Sequence, residues 1–249
     1  LTHPNSNFKW HGFWGEGQSD PRMQNKKYYS IVRGSTEFYQ KLVIEICENG
    51  KRLLEYGCGN GNSALYFARN NINVSAIDIS KEGIKKAKNK AIREGIKCAF
   101  YVMDAEKLLF ETDTFDVVAG GAILHHLDIV RAYGELARVL KVGGHAIFIE
   151  PLGHNLLINL FRKFTPSRRT ETERPLRFKD IDLARKFFKK VDTEFFHILT
   201  FAAIPFRNLP FFDKLVDFLF FCDKVLVRMF PFLKKCSWIV IIHMKDPIK

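Results

Sequence analysis

The sequence predicts an α/β fold of three layers, with helices on both faces of a mostly parallel sheet. Three observations lead there. Short apolar runs alternate with stretches of helical periodicity between residues 36 and 150. The first of those runs leads straight into a cluster of glycines. The chain is also long enough for one large core: 249 residues, 47% of them apolar and 27% charged. That composition excludes disorder, and no period of twenty to fifty residues marks a repeat array.

Taken in order, residues 1–35 read as an irregular arm, rich in His, Asn, Gly and aromatics (HPNSNFKWHGFWGEG). Trp10, Phe13 and Trp14 either pack on the domain or close over a ligand as a lid. The main domain is expected over residues 36–249. A helix over Thr36–Glu48 follows from Phe38, Leu42, Val43 and Ile46, and Asn49-Gly50 stops it. Strands are expected at Arg52–Tyr56, Val74–Ile77, Ala99–Val102, Phe115–Ala119 and His145–Ile149. Helices fall near 62–70, 81–94 and 129–140. The segment 151–190 breaks the rhythm and reads as a helical insert; from Phe161 to Lys190 it holds eleven Lys or Arg against four Asp or Glu. Late strands are expected at Phe195–Phe201 and Trp238–Met244. Between them a Phe-rich tail, 206–232, reads as an amphipathic helix that completes the core, lines a lipophilic pocket or touches a membrane. Charges at Asp213, Lys214, Asp217, Asp223, Lys224 and Arg228 interrupt it, so it is no spanning helix.

The net charge of +12 favours anionic partners without choosing among RNA, lipid headgroups and an acidic small molecule. Five cysteines, Cys47, Cys58, Cys98, Cys222 and Cys236, have no CxxC spacing, so neither a disulfide framework nor a bound metal is expected. That odd cysteine set makes a reduced, cytoplasmic setting the simplest reading, with peripheral membrane contact open, and Leu1–Asn7 lack the basic start and apolar core of a secretory signal.

The glycine turn Tyr56-Gly57-Cys58-Gly59-Asn60-Gly61 follows the first strand. Position 62 is Asn where a dinucleotide fingerprint wants glycine, and no GK[ST] follows. About twenty residues on, Asp78 ends the second strand and is placed to accept from a ribose diol or to cap the next helix. Asp104, after the third strand, is a second acceptor or a turn residue.

Together, Glu55-Tyr-Gly-Cys-Gly-Asn-Gly61, Asp78, Asp104-Ala105, Phe115-Asp-Val-Val118 and the Leu140-Lys-Val-Gly-Gly144 turn resemble the class I S-adenosylmethionine-dependent methyltransferases of small-molecule type, over roughly Leu42 to Glu150. The resemblance implies a Rossmann-like sheet of seven strands with an antiparallel last strand beside the sixth. It implies S-adenosylmethionine as cofactor: Gly57, Gly59 and Gly61 hold its methionine part, Asp78 the ribose, and Asp104 with Ala105 the adenine. Glu55, Cys58, Ile79 and Gly121 complete that set. Glu55 either polarises the amino end of the methionine moiety or accepts from loop N–H groups.

On the acceptor side, Gly120-Gly-Ala-Ile-Leu-His125-His126-Leu-Asp128 leaves the sheet where the methyl group is expected, which makes His125 and His126 candidate bases. One of them is otherwise expected to face adenosine or cap the next helix. Glu150 and His154 read as one loop, paired to orient a base or held in a turn shaped by Pro151 and Gly153. Arg168, Arg169, Arg174 and Arg177 either clamp an anionic group or form a solvated basic face. The expected function is methyl transfer to a small or lipid-like acceptor, at oxygen by preference. The alternatives are an RNA or protein methyltransferase and a non-catalytic cofactor-binding subunit. An Asn-Pro-Pro-Tyr type signature of nucleobase amine methylation is absent; the stretch reads GGAILHH.

Overall fold

The computed structural model describes residues 30–48, 50–155 and 175–249. The N-terminal arm, Asn49, and Arg168, Arg169 and Arg174 lie outside the described residues.

Seven strands form one sheet: β1 (Arg52–Tyr56), β2 (Asn73–Asp78), β3 (Ala99–Val102), β4 (Phe115–Gly121), β5 (Leu140–Pro151), β6 (Phe188–Phe196) and β7 (Ile239–Pro247). Their order is β3-β2-β1-β4-β5-β7-β6. The first five run parallel, and β7 is antiparallel to both β5 and β6. This is the mostly parallel Rossmann-like sheet expected.

Alternation along the strands sorts side chains into two cores. Leu53 of β1, Ile147 of β5 and Ile241 of β7 meet α1 (Arg33–Ile46), α2 (Asn62–Arg69) and α3 (Lys81–Glu94) through Tyr39, Leu65 and Ala87. Leu54, Phe148 and Ile242, one residue on in each strand, face α4 (Ile129–Val139) and α5 (Phe178–Leu183) through Tyr133, Leu136 and Ile181. The final helix, α6 (Phe212–Met229), adds Phe212 and Val216 to the first core. Strands buried on both sides read as continuous apolar runs, which is why they were visible in the sequence.

The sixth strand lies earlier than the expected Phe195–Phe201. Phe188, Val191 and Phe195 are buried along an edge strand whose lysines and acids face outward. The chain leaves the sheet at His197, which has a positive φ of 67°. Ile198 and Leu199 then donate their N–H groups to the buried Asp223 carboxylate (3.1 and 2.6 Å), and Thr200–Phe206 becomes a 3₁₀ segment. The fifth strand is longer than expected and takes in both the Lys141–Gly144 turn and Glu150. The partner register jumps from Leu140 to His145 while β4 advances only from Phe115 to Val117, with Gly143 at φ +74°.

In this topology the C-terminal ends of β1 to β5 share one edge. The strand order reverses between β1 and β4, the crevice where an open α/β sheet takes its ligand.

Candidate active site

The turn after β1 is built by glycine geometry. Gly57, Gly59 and Gly61 have φ of +76°, +54° and +82°, a region that side chains avoid. Gly57 and Cys58 donate N–H groups to Ile77 O (3.0 and 2.8 Å), locking the turn to β2. Burial pushes the Cys58 thiol up, so it lines the turn as a neutral group. A Cβ on Gly61 would lie 2.7 Å from Ala87 Cβ, whereas one on Gly59 would meet nothing within 4 Å. Gly61→Ala is therefore expected to lower unfolding stability by about 2–4 kcal/mol, left-handed strain plus overpacking. Gly59→Ala costs about 1 kcal/mol of strain and acts chiefly on ligand affinity. Urea unfolding separates the two, and equal losses would contradict this packing.

Glu55 is 1% exposed, and its Oε2 has no hydrogen-bond partner. Burial holds its carboxyl well above the ordinary range. No N–H of the described residues reaches Oε2, and the orphaned oxygen is suited to a cation. A cation bound there favours the ionised form and expels the proton that the free protein keeps. Binding of a cationic ligand is thus expected to release a proton and to strengthen as pH rises from the ordinary carboxyl range toward the raised value. Calorimetry in buffers of different ionisation enthalpy reads this directly. Glu55→Gln should abolish the release, and its persistence would assign the proton elsewhere.

Asp78 ends β2 with both oxygens aimed at backbone: Oδ2 accepts from Gly59 N–H (2.7 Å) and Oδ1 from Ser80 N–H (2.8 Å). Ser80, not Asp78, caps α3 by accepting from Gly83 N–H. Each carboxylate oxygen keeps a second lone pair for a ligand hydroxyl. Ile79 beside it is 74% exposed. Asp104 is exposed and accepts from Glu106 N–H (2.8 Å), an Asx turn. Tyr56 donates its hydroxyl to the carbonyl of Ala105, tying this loop to β1.

After β4, Gly121 pairs with Ile149, and Ala122 N–H donates to Ile149 O (2.9 Å). Ile123 and Leu124 both donate N–H groups to Glu150 Oε1 (2.8 Å each), and His125 Nδ1 lies 2.7 Å from Glu150 Oε2. Glu150 is fully buried and His125 is 6% exposed. The partner of Glu150 is thus His125, not His154. Glu150 sits in β5, which turns it toward the loop after β4, while His154 Nε2 accepts from Phe178 N–H (3.3 Å) and its ring lies against Phe178. With Glu150 as acceptor, His125 Nδ1 carries a proton, and a neutral ring then presents its lone pair on Nε2. His126 is exposed, and its ring lies tilted by 39° against that of His125, with centroids 4.1 Å apart. Neither histidine caps α4; Asp128 does, accepting from Val130 and Arg131. Arg177 precedes α5, its N–H donating to Asp180.

Two features escaped the sequence reading. Glu106 accepts from Asp128 N–H (2.7 Å), bracing the loop after β3 against the loop after β4. Val32, Ser35 and Thr36 face Ala122, Ile149, Pro151 and Ile239 across a recess of about 10 Å³, the room of one water. Both hydroxyls of that wall donate to Val32 O, leaving an apolar lining.

Known proteins agree with this architecture. The family described as "Methyltransferase domain" matches residues 54–148. The phthiotriol/phenolphthiotriol dimycocerosates methyltransferase of Mycobacterium leprae is 31% identical over 121 residues, covering 47% of this chain and 44% of that one. The 27-O-demethylrifamycin SV methyltransferase of Amycolatopsis mediterranei is 36% identical over 139 residues, 54% and 47% of the two chains. This chain therefore spans a little under half the length of these curated relatives. Among solved structures, a phosphoethanolamine N-methyltransferase 2 of Haemonchus contortus, in complex with phosphomonomethylethanolamine and S-adenosylhomocysteine, superposes with a TM-score of 0.63. Its identity is 18%, over 92% of this chain and 58% of that one. Sequence motif, sheet order and these likenesses converge on residues 54–148, which match a methyltransferase domain and lie in a Rossmann-like, mostly parallel sheet.

Proposed function

We propose that the chain transfers a methyl group from S-adenosylmethionine to an oxygen of a small, lipophilic acceptor. The observation that carries this reading is the buried His125–Glu150 contact, at the sheet edge that also holds the glycine turn. The turn fits the cofactor in three respects. The orphaned Glu55 oxygen suits the methionine ammonium, the Asp78 carboxylate suits the ribose diol, and the backbone at Gly59 is open to close approach. Cys58, Ile79, Asp104, Ala105 and Gly121 complete the pocket in this assignment. When bound, the cofactor supplies a methyl group on a sulfonium, which needs no metal to leave.

The chain's part is alignment, exclusion of water and handling of one proton. Glu150 holds the His125 ring, and Nε2 takes the proton of the acceptor hydroxyl as oxygen attacks. His126 borders the acceptor beside it, and His154 orders the chain leading into α5. The relatives' names support the acceptor class: phthiotriol and phenolphthiotriol dimycocerosates in one, and a rifamycin methylated at oxygen in the other. An anionic group on the acceptor, met by Arg177 and the arginines before it, belongs to the same proposal. The test is incubation with S-adenosylmethionine and a panel of lipophilic phenols and alcohols, read by mass spectrometry. A product one methyl group heavier that has lost the exchangeable hydroxyl proton of the acceptor supports O-methylation of a hydroxyl. Turnover of RNA or protein alone would overturn it.

A further inference from the structure

Helix α6 is apolar on two sides, and among the described residues only one of them meets the rest of the protein. Phe212 and Val216 enter the core, and Phe220 stacks on Phe196 at 5.6 Å. Phe211, Phe218, Phe221, Val225 and Met229 recur at helical spacing on the opposite side and are all exposed. Phe232, just past the helix, is 68% exposed, beside 63% and 64% for Phe218 and Phe221. At about 150–250 Å² per aromatic side chain, these three rings alone present roughly 400 Å², the size of the largest patch on an ordinary monomer.

The charges around this face are sorted. Asp213 and Asp217 both pair with Arg33 of α1, and Asp223 is fully buried against backbone N–H groups. Every acid of the helix is thus engaged by the protein. Lys214, Arg228 and Lys235 are exposed, and no carboxylate lies within ion-pair distance of them among the described residues. Lys214 falls within the apolar stripe and Arg228 on its flank.

We propose that this face docks on an anionic lipid bilayer, with α6 lying in the interface plane, its phenylalanines at the acyl boundary and its lysines and arginine among the headgroups. No described helix is long and apolar enough to cross a membrane, which leaves α6 the interfacial geometry. A second copy of the chain suits the face poorly. A two-fold contact would set Lys214, Arg228 and Lys235 against one another with no free acid of the helix to compensate. Through Arg33 the helix is fastened to the start of α1, where Ser35 and the preceding Val32 wall the recess beside β4 and β5. Docking would therefore bring that side of the sheet edge to the lipid. The inference rests on the surface itself and stands whatever the fate of the methyl-transfer reading.

Co-sedimentation of the full chain with vesicles of phosphatidylcholine, with and without phosphatidylglycerol, tests it. The protein should pellet with the anionic vesicles and be released progressively by salt. Phe218→Ser/Phe221→Ser/Phe232→Ser should weaken that binding by at least about tenfold. Lys214→Gln/Arg228→Gln/Lys235→Gln should remove the preference for anionic vesicles, and Phe221→Trp should show emission shifted to the blue only when they are present. Wild-type protein that stays in the supernatant overturns the proposal, as does binding unaffected by the phenylalanine changes. A dimer that the phenylalanine variant dissociates, with no vesicle binding, assigns the face to self-association instead.

Discussion

Glu150→Gln is expected to lower kcat by about 10²- to 10⁴-fold while leaving S-adenosylmethionine affinity near that of the unaltered chain. The amide oxygen can still accept from Ile123 and Leu124, as Oε1 does now, so the loop after β4 keeps its course. The amide nitrogen then stands where Oε2 meets His125 Nδ1, and it can only donate. The ring must turn its lone pair to Nδ1 and its proton to Nε2, and a ring so arranged cannot receive a proton from the acceptor. Single-turnover kinetics on an identified acceptor, with calorimetry for the cofactor, separates the two effects. Full activity would remove the general-base role. Glu150→Ala is a harsher change: it strands two N–H groups and an imidazole in the interior, a loss of about 3–5 kcal/mol.

Asp78→Ala should raise the cofactor dissociation constant by about 10²-fold or more. Two hydrogen bonds from ribose hydroxyls to a carboxylate are worth about 1.5–3 kcal/mol each, and about 1.4 kcal/mol is tenfold. The same change frees Gly59 N–H and Ser80 N–H, which loosens the glycine turn as well. Asp78→Asn keeps one acceptor oxygen and should fall between the two. Unchanged affinity in the alanine variant would place the ribose elsewhere.

Much of this was readable in the sequence because local rules suffice for it. The inner strands β1 and β4 announced themselves as doubly buried apolar runs, and β3, an edge strand with Tyr101 and Val102 exposed, was still placed to the residue because all four of its residues are apolar or aromatic. Gly57 and Gly61 were legible since only glycine takes their backbone angles with neighbours so close. Asp78 was legible from its place at a strand end. What escaped depends on contacts between distant segments. Glu150 and His125 are 25 positions apart, and nothing local says that the strand turns the carboxylate toward β4 and away from His154. The edge strand β6 was misplaced because its exposed side carries Lys189, Lys190 and Glu194, which dilute the apolar signal. Helix α6 was expected, but which of its two apolar sides faces the other described residues is set by where Arg33 and Asp223 anchor it.

The central claim is a pocket for S-adenosylmethionine after β1 and β2. Calorimetric titration of the full chain with S-adenosylmethionine, and in parallel with NAD, tests it most directly. The account predicts saturable one-to-one binding of the first with release of a proton, and no binding of the second. Absence of heat with S-adenosylmethionine, or saturation by NAD, would contradict it.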